Sequence, residues 1–131
     1  MFSSEIVIRS TRNVEFIDIT SKLQEAVSAS GVKEGVCLVY VPHTTAGVTI
    51  NENADPSVVT DIINKLSELV PQSSAYKHTE GNAPGHIKST LVGCSVSIPV
   101  SGGKLMLGTW QGVFFCEFDG PRQRRVVIRV F

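Results

Sequence analysis

Seven short runs rich in β-branched and aromatic residues dominate this chain: EIVIR, GVCLVYV, GVTIN, CSVSIPV, KLMLGTW, GVFFCEFD and RVVIRVF, punctuated by Gly, Pro and Asn. Residues of this kind suit a pleated, half-buried surface, so each run reads as a strand. Only two segments carry a helical period, too few for alternating βαβ units. The expected fold class is therefore α+β, a largely antiparallel sheet or sandwich of about seven or more strands with two main helices against it. Open edges in such a fold invite pairing between copies, and oligomerisation is one way to cover them.

The first helix is expected from about Thr20, a capping residue, through SKLQEAVSAS to a stop at Gly31, with Leu23, Ala26 and Val27 on one face. The second begins with Asp55 as cap and Pro56 in the first turn. Val58, Val59, Ile62, Ile63, Leu66, Leu69 and Val70 then recur at helical spacing until Pro71.

With 131 residues, 42% apolar and 18% charged, the chain reads as one folded domain spanning 1–131, large enough to bury a core without disulfides. Twelve basic residues balance twelve acidic ones, so no net field draws it to nucleic acid or an anionic membrane. An anionic ligand would have to be held by a local cluster. Cys37, Cys94 and Cys116 lie far apart in apolar runs with no CxxC pair, which suits buried free thiols in a reducing compartment. The opening MFSSEIVIRS lacks the basic and long apolar regions of a signal peptide, and no apolar run approaches the roughly 20 residues that span a bilayer. A soluble cytoplasmic protein is expected.

All three histidines fall in or beside polar loops: His43 in VPHTTAG, His78 and His86 in YKHTEGNAPGHIK. Pro42 ends the strand GVCLVYV, which delivers His43 to a sheet end. In an extended KHTEG, His78 and Glu80 point to one side, and Gly81 and Gly85 allow the backbone to curl His86 back. Three imidazoles brought together with an open position suit Zn²⁺ or another borderline divalent ion, with Glu80 orienting a ligand or handling a proton of bound water. Singly, each histidine fits an ordinary turn better than a ligand role, and it is their joint placement in polar loops that favours a site.

Near the C-terminus, a strand GVFFCEFD turns Phe114, Cys116 and Phe118 one way and Phe115, Glu117 and Asp119 the other. Carboxylates on so apolar a strand need partners, such as Arg122 or Arg124, or residues of a metal site; a surface salt bridge accounts equally well for Asp119. PRQRR and Lys88 are small cationic features that can grip phosphate or carboxylate. Trp110 and Gln111, between Gly108 and Gly112, either face a ligand or fill core space.

HTTAGVTINENADP, YKHTEGNAPGHIK and LGTWQGVFFCEFDGPR, in that order, closely resemble the YjbQ-like family of small bacterial and archaeal proteins. The likeness extends over nearly the whole chain, including the turn at Pro99. It implies a compact α+β fold that assembles as a homotrimer, with histidine motifs at a metal site, most simply zinc. It also implies a secondary thiamine-phosphate synthase activity, which joins a pyrimidine diphosphate to a thiazole phosphate and releases pyrophosphate. By motif position, His43, His78 and His86 would be metal ligands, and Glu80 and Glu117 the catalytic carboxylates. Asn82, Lys88, Trp110, Gln111 and Arg122 would bind substrate, Lys88 and Arg122 at phosphate and Trp110 with Gln111 against a heterocyclic ring. One departure is Gly85 in NAPGH, where a small residue such as Ala is expected; glycine there should loosen the backbone.

Three functions follow as expectations: a metal-binding enzyme acting on phosphorylated heterocyclic metabolites, a non-catalytic metal- or phosphometabolite-binding trimer, and a metal-assisted hydrolase. A serine or cysteine nucleophile is disfavoured, because no GxSxG elbow occurs and the cysteines sit in apolar strands.

Overall fold

In the computed structural model, which describes Met1–Phe131, eight strands pair antiparallel throughout and divide into two sheets. The larger holds β1 (Phe2–Arg9), β8 (Gln123–Val130), β3 (Gly35–Tyr40), β5 (Ser95–Ser101) and β6 (Lys104–Leu105), in that spatial order. The smaller holds β2 (Glu15–Asp18), β7 (Gln111–Glu117) and β4 (Ala46–Glu52), with β7 in the centre. Three helices complete the chain: α1 (Thr20–Ser30), α2 (Pro56–Leu69) and α3 (Ala83–Val92).

The period-2 alternation of β7 organises the interior. Val113 and Phe115 join Ile8, Val39, Val48, Ile98 and Ile128 from both sheets, and Leu23 and Val27 of α1, in the main core. On the other face, Phe114 and Cys116, with Phe118 just beyond the strand, form a smaller cluster against Phe16, Val59, Leu66 and Val92. Burying both faces of one strand explains why GVFFCEF is nearly continuous in apolar residues.

The α+β reading and both expected helices hold. Gly31 closes α1 in the left-handed region at φ 72°, where a side chain is disfavoured. Thr20 is not its cap, however: its hydroxyl accepts from the Val113 N–H at 2.9 Å and donates to Asp18, tying the helix start to β7. Asp55 does cap α2, accepting from the Ser57 N–H at 2.9 Å. Yet no residue of α2 is buried, although its pattern is strongly amphipathic.

Two elements were not expected. The first, β2, is four residues long, too short for a periodic signal. The second, α3, begins with Pro84 and Gly85, which read locally as breakers; Pro84 is tolerated in the first turn, where its missing N–H is not needed. Gly85 does not loosen the backbone: a Cβ there would stand 2.8 Å from the Phe118 carbonyl oxygen, so glycine lets the helix press on the end of β7. The KLMLGTW run keeps only Lys104–Leu105 as strand, after a hairpin turn whose Gly102 and Gly103 both have positive φ. Cys37 and Cys116 are buried as expected, and burial pushes the Cys37 thiol up to about 11, but Cys94 is exposed. No helix is long and apolar enough to cross a membrane.

Candidate functional site

Helix α3 lies along β4, held by the Ser89 hydroxyl donating to the Ala46 carbonyl at 2.7 Å. This packing carries the helix start to the exit of β7, where the chain continues through Phe118 and Asp119. Asn82, immediately before the helix, donates from Nδ2 to Asp119 Oδ2 at 2.9 Å. Asp119 is also bound by Arg122, whose Nη2 donates to the same oxygen at 3.0 Å and whose Nε donates to the Asp119 carbonyl. The expected partnership of Asp119 with Arg122 therefore forms, through Nε and Nη2 of the guanidinium.

Lys88, one turn into α3, is only 6% exposed and has no hydrogen-bond or ion-pair partner in the chain. Burial alone holds its pKa below the ordinary lysine value. With Asn82, Gly85, Phe118, Asp119 and Gln72, it lines a cavity of about 190 Å³. The wall opposite the helix is the loop Pro71–Gly81, pinned by Gln72 Nε2 donating to the Gly81 carbonyl at 2.6 Å and by the Tyr76 hydroxyl donating to Pro71. Asn82 Oδ1 is buried and has no partner.

The same loop and helix bring His78 and His86 together, edge to face, with ring centroids 5.1 Å apart. Glu80 approaches His78 Nε2 to 3.9 Å, an ion-pair distance too long for a hydrogen bond. Thus His78, Glu80, Asn82, His86 and Lys88 share one loop-and-helix unit.

His43 does not join them. Its Nε2 accepts from the Arg125 backbone N–H at 3.0 Å, placing the imidazole proton on Nδ1. Burial, and then the positive charge of Arg124, hold its pKa below the ordinary histidine value. Within one chain no three His, Cys, Asp or Glu side chains are disposed to hold a metal ion, and the nitrogen His43 would offer through Nε2 is already engaged. Within one chain, His43 is therefore not gathered with His78 and His86.

Glu117, expected as a catalytic carboxylate, is a fully buried anchor. Ser10 Oγ donates to its Oε1 at 2.7 Å, the Asp119 N–H donates to Oε2 at 3.1 Å, and Arg124 binds both oxygens through Nε and Nη2. Arg124 continues to Thr45, donating from Nη2 to its hydroxyl at 2.8 Å and to its carbonyl at 3.2 Å. Burial would raise the Glu117 pKa, but the bonds from Arg124, Ser10 and the Asp119 N–H outweigh it and hold the carboxyl below its usual range. With every site on the carboxylate taken, its role is to lock β7, β8 and the loop before β4.

Trp110 and Gln111 lie at the opposite end of β7. Trp110 and Asp119 are nine positions apart, which at about 3.3 Å per residue is up to about 30 Å of extended chain. In one chain these residues cannot share a ligand with Lys88. Trp110 is 63% exposed rather than core, and its carbonyl accepts from the Asn53 N–H at 3.1 Å. Gln111 Oε1 accepts from the Gly108 N–H.

The INENADP segment leads to a feature that no single-residue argument had found. Asp18, Glu52, Asn53 and Asp55 rim a hollow of about 440 Å³ between β2 and α2, with an apolar wall that includes Phe16, Val59 and Phe114. Gly112 admits Asn53 to it, since a Cβ there would stand 2.4 Å from Asn53 Nδ2. The polar density of the segment was the available signal, but its convergence with Asp18 depends on β2 and β4 both flanking β7.

The fold and the cavity beside α3 define a small α+β protein of two antiparallel sheets, with a buried, unpaired lysine at the exit of its central strand and a histidine pair on the same loop and helix. The family description "UPF0047 protein YjbQ-like" matches residues 4–131, and the chain belongs to that family. It is 55% identical over 123 residues to a UPF0047 protein of Methanocaldococcus jannaschii, covering 94% of this chain and 89% of that one. It is 47% identical over 124 residues to UPF0047 protein YugU of Bacillus subtilis, covering 94% of each. A crystal structure of a YjbQ/UPF0047 family protein from Clostridium acetobutylicum superposes with a TM-score of 0.96 at 49% identity, over 98% of this chain and 99% of that one. A YjbQ-like protein of unknown function from Sulfolobus solfataricus gives 0.95 at 36% identity, over 98% and 95% of the two chains.

Proposed function

We propose that this chain is an enzyme acting on phosphorylated small molecules at the cavity beside α3, with secondary thiamine-phosphate synthase chemistry as its specific form. The observation that carries the reading is Lys88: a cation nine-tenths buried with no internal partner. A buried charge is costly unless something compensates it, and an anionic ligand entering the cavity would do so. A phosphate group meets that need.

In the synthase reaction the C–O bond between the pyrimidine methylene and the diphosphate breaks, and pyrophosphate leaves with the electron pair while the thiazole forms the new bond. Charge grows on the leaving oxygens, where a preorganised cation is most effective. The His78–His86 pair supplies two imidazoles on the same loop and helix as candidates for general acid or base. No metal step is part of this reading, since the donors do not meet in one chain.

Self-association belongs to the same proposal, with a homotrimer as its form. It rests on α2, whose partly exposed Val58 and Ile62 and 63%-exposed Leu69 leave an apolar stripe uncovered. Copies in a closed assembly would cover it, and could bring Trp110 of one chain toward the cavity of another.

The test is direct. Purified protein is incubated with the pyrimidine diphosphate and the thiazole phosphate, and thiamine phosphate and pyrophosphate are measured. Wild type should form both; Lys88→Met and His86→Ala should lose about 10²-fold or more in kcat/KM. No product from wild type, or full activity in Lys88→Met, rejects the assignment.

A further inference from the structure

Lys88 differs from every other lysine of the chain. Lys22, Lys33, Lys65, Lys77 and Lys104 are exposed, whereas Lys88 is only 6% exposed. Among residues that are not exposed, Asn82 Oδ1 is the one side-chain nitrogen or oxygen that is both shut off from solvent and without a partner. Lys88 Nζ makes no hydrogen bond or ion pair either, so it is an atom that water still reaches, and the space the residue lines is the cavity of about 190 Å³ beside α3. The stem of the side chain is packed away while its amine meets a small enclosed volume.

Asp119 is the one carboxylate on the cavity wall, and it is already bonded by Asn82 and Arg122 rather than by Lys88. Nothing in the chain balances an ammonium at Lys88, so without an anionic ligand burial favours the neutral amine. A lysine is a poor nucleophile while protonated and a good one once desolvation frees its lone pair, which is how lysines are activated to form imines with carbonyl compounds. The iminium that results is again a cation in a buried place, costly unless an anion stands beside it. A carbonyl compound with a carboxylate on the adjacent carbon meets both demands at once.

We propose that Lys88 is a covalent site for a small 2-oxo acid, held as an iminium whose charge the ligand's own carboxylate balances. The Nζ lone pair forms the C–N bond to the carbonyl carbon, and the carbonyl oxygen leaves as water. Neutral amine, oxo-acid anion and one proton from solvent thus give an iminium carboxylate and one water. The cavity is smaller than the roughly 300–1,000 Å³ typical of sites for larger metabolites, which suits an oxo acid of two or three carbons.

Reductive trapping tests the site. The full chain is incubated at neutral pH with glyoxylate and cyanoborohydride, which reduces iminium but not carbonyl groups and fixes the adduct as a secondary amine. Modified lysines are then mapped by mass spectrometry. Lys88 should be modified about tenfold or more faster than any of the five exposed lysines. With acetaldehyde, which is of similar size and lacks the carboxylate, that ratio should fall by about tenfold, since the cation formed is left unbalanced. Lys88→Arg keeps a cation but cannot form an imine, so it should lose the fast site while the exposed lysines are modified as before and circular dichroism shows the fold kept. Lys77→Arg, on the neighbouring loop, should retain the fast site. Modification of Lys88 no faster than the exposed lysines overturns the proposal, and an equal ratio with glyoxylate and acetaldehyde overturns the 2-oxo acid as its ligand. Only the cavity is shared with the functional reading above, and the two fail separately: fast trapping at Lys88 with no thiamine phosphate formed from the paired substrates upholds this site and rejects the synthase assignment.

Discussion

Removing the buried Arg124 should destabilise this protein more than deleting a surface charge, because the charge it leaves behind is entirely enclosed. In Arg124→Met, the Glu117 carboxylate remains fully buried and keeps only the Ser10 hydroxyl and the Asp119 N–H as donors. Breaking a buried pair by removing one partner costs about 3–5 kcal/mol. Against the 5–15 kcal/mol that typically holds a domain folded, that is about a fifth or more of the total. For a chain of this size about 4 °C per kcal/mol is expected, so the melting temperature should fall by about 12–20 °C. Glu117→Gln should cost a comparable amount, since it leaves the guanidinium, 4% exposed at its side chain, without a counter-charge. The double variant Glu117→Met/Arg124→Met removes both charges at similar volume and should lose only about 1–3 kcal/mol, the cost of orphaning the Asp119 N–H and the Thr45 hydroxyl. Urea denaturation of the four proteins closes the cycle. A loss under about 1 kcal/mol in either single variant, or a double variant as weak as the sum of the two, would refute this account of the buried pair.

Acid should destabilise the protein in two stages. His43 has a folded pKa below its unfolded one, so its contribution is complete above about pH 6.5 and declines as pH falls below that value. Glu117, also depressed, contributes fully above about pH 4.3 and loses its share as pH drops through its folded pKa. Stability measured by urea against pH should show both declines, and His43→Gln should flatten the first while leaving the second. Gly85→Ala should lower the melting temperature, although alanine favours helix by about 1 kcal/mol, because the new Cβ meets the Phe118 carbonyl; a rise would mean α3 shifts without cost. Ile62→Glu with Leu69→Glu should convert an assembled protein to monomers by light scattering, and a wild type already monomeric at micromolar concentration rejects the trimer.

The period-2 pattern of GVFFCEFD carried real structural information. It placed Phe114, Cys116 and Phe118 on one face and Phe115 and Glu117 on the other, and the requirement that buried carboxylates find partners led to Arg122 and Arg124. Nothing in that pattern distinguished a carboxylate enclosed as an anchor from one facing a wet site. The difference lies in Ser10, which reaches Glu117 from 107 positions away. Helix α3 was hidden for a related reason: Pro84 and Gly85 are breakers by local propensity, and the packing of Gly85 on the Phe118 carbonyl overrides it.

What the sequence by itself determined was the material: strands from β-branched runs, α2 from its 3.6-residue period, the partners that carboxylates require, and family membership through three long motifs. Those features depend on neighbours a few positions apart along the chain. The tertiary structure alone decided which of them meet. Because β7 is the central strand of its sheet, one end of it receives α3 and the loop before it, bringing Asn82 and Lys88 beside Asp119, with His78 and His86 paired on the same loop and helix. Its other end carries Trp110 and Gln111, up to about 30 Å away along the extended chain. His43 is captured by the backbone of β8. Three histidines in polar loops looked alike as sequence; strand pairing made two of them neighbours and assigned the third to an unrelated hydrogen bond.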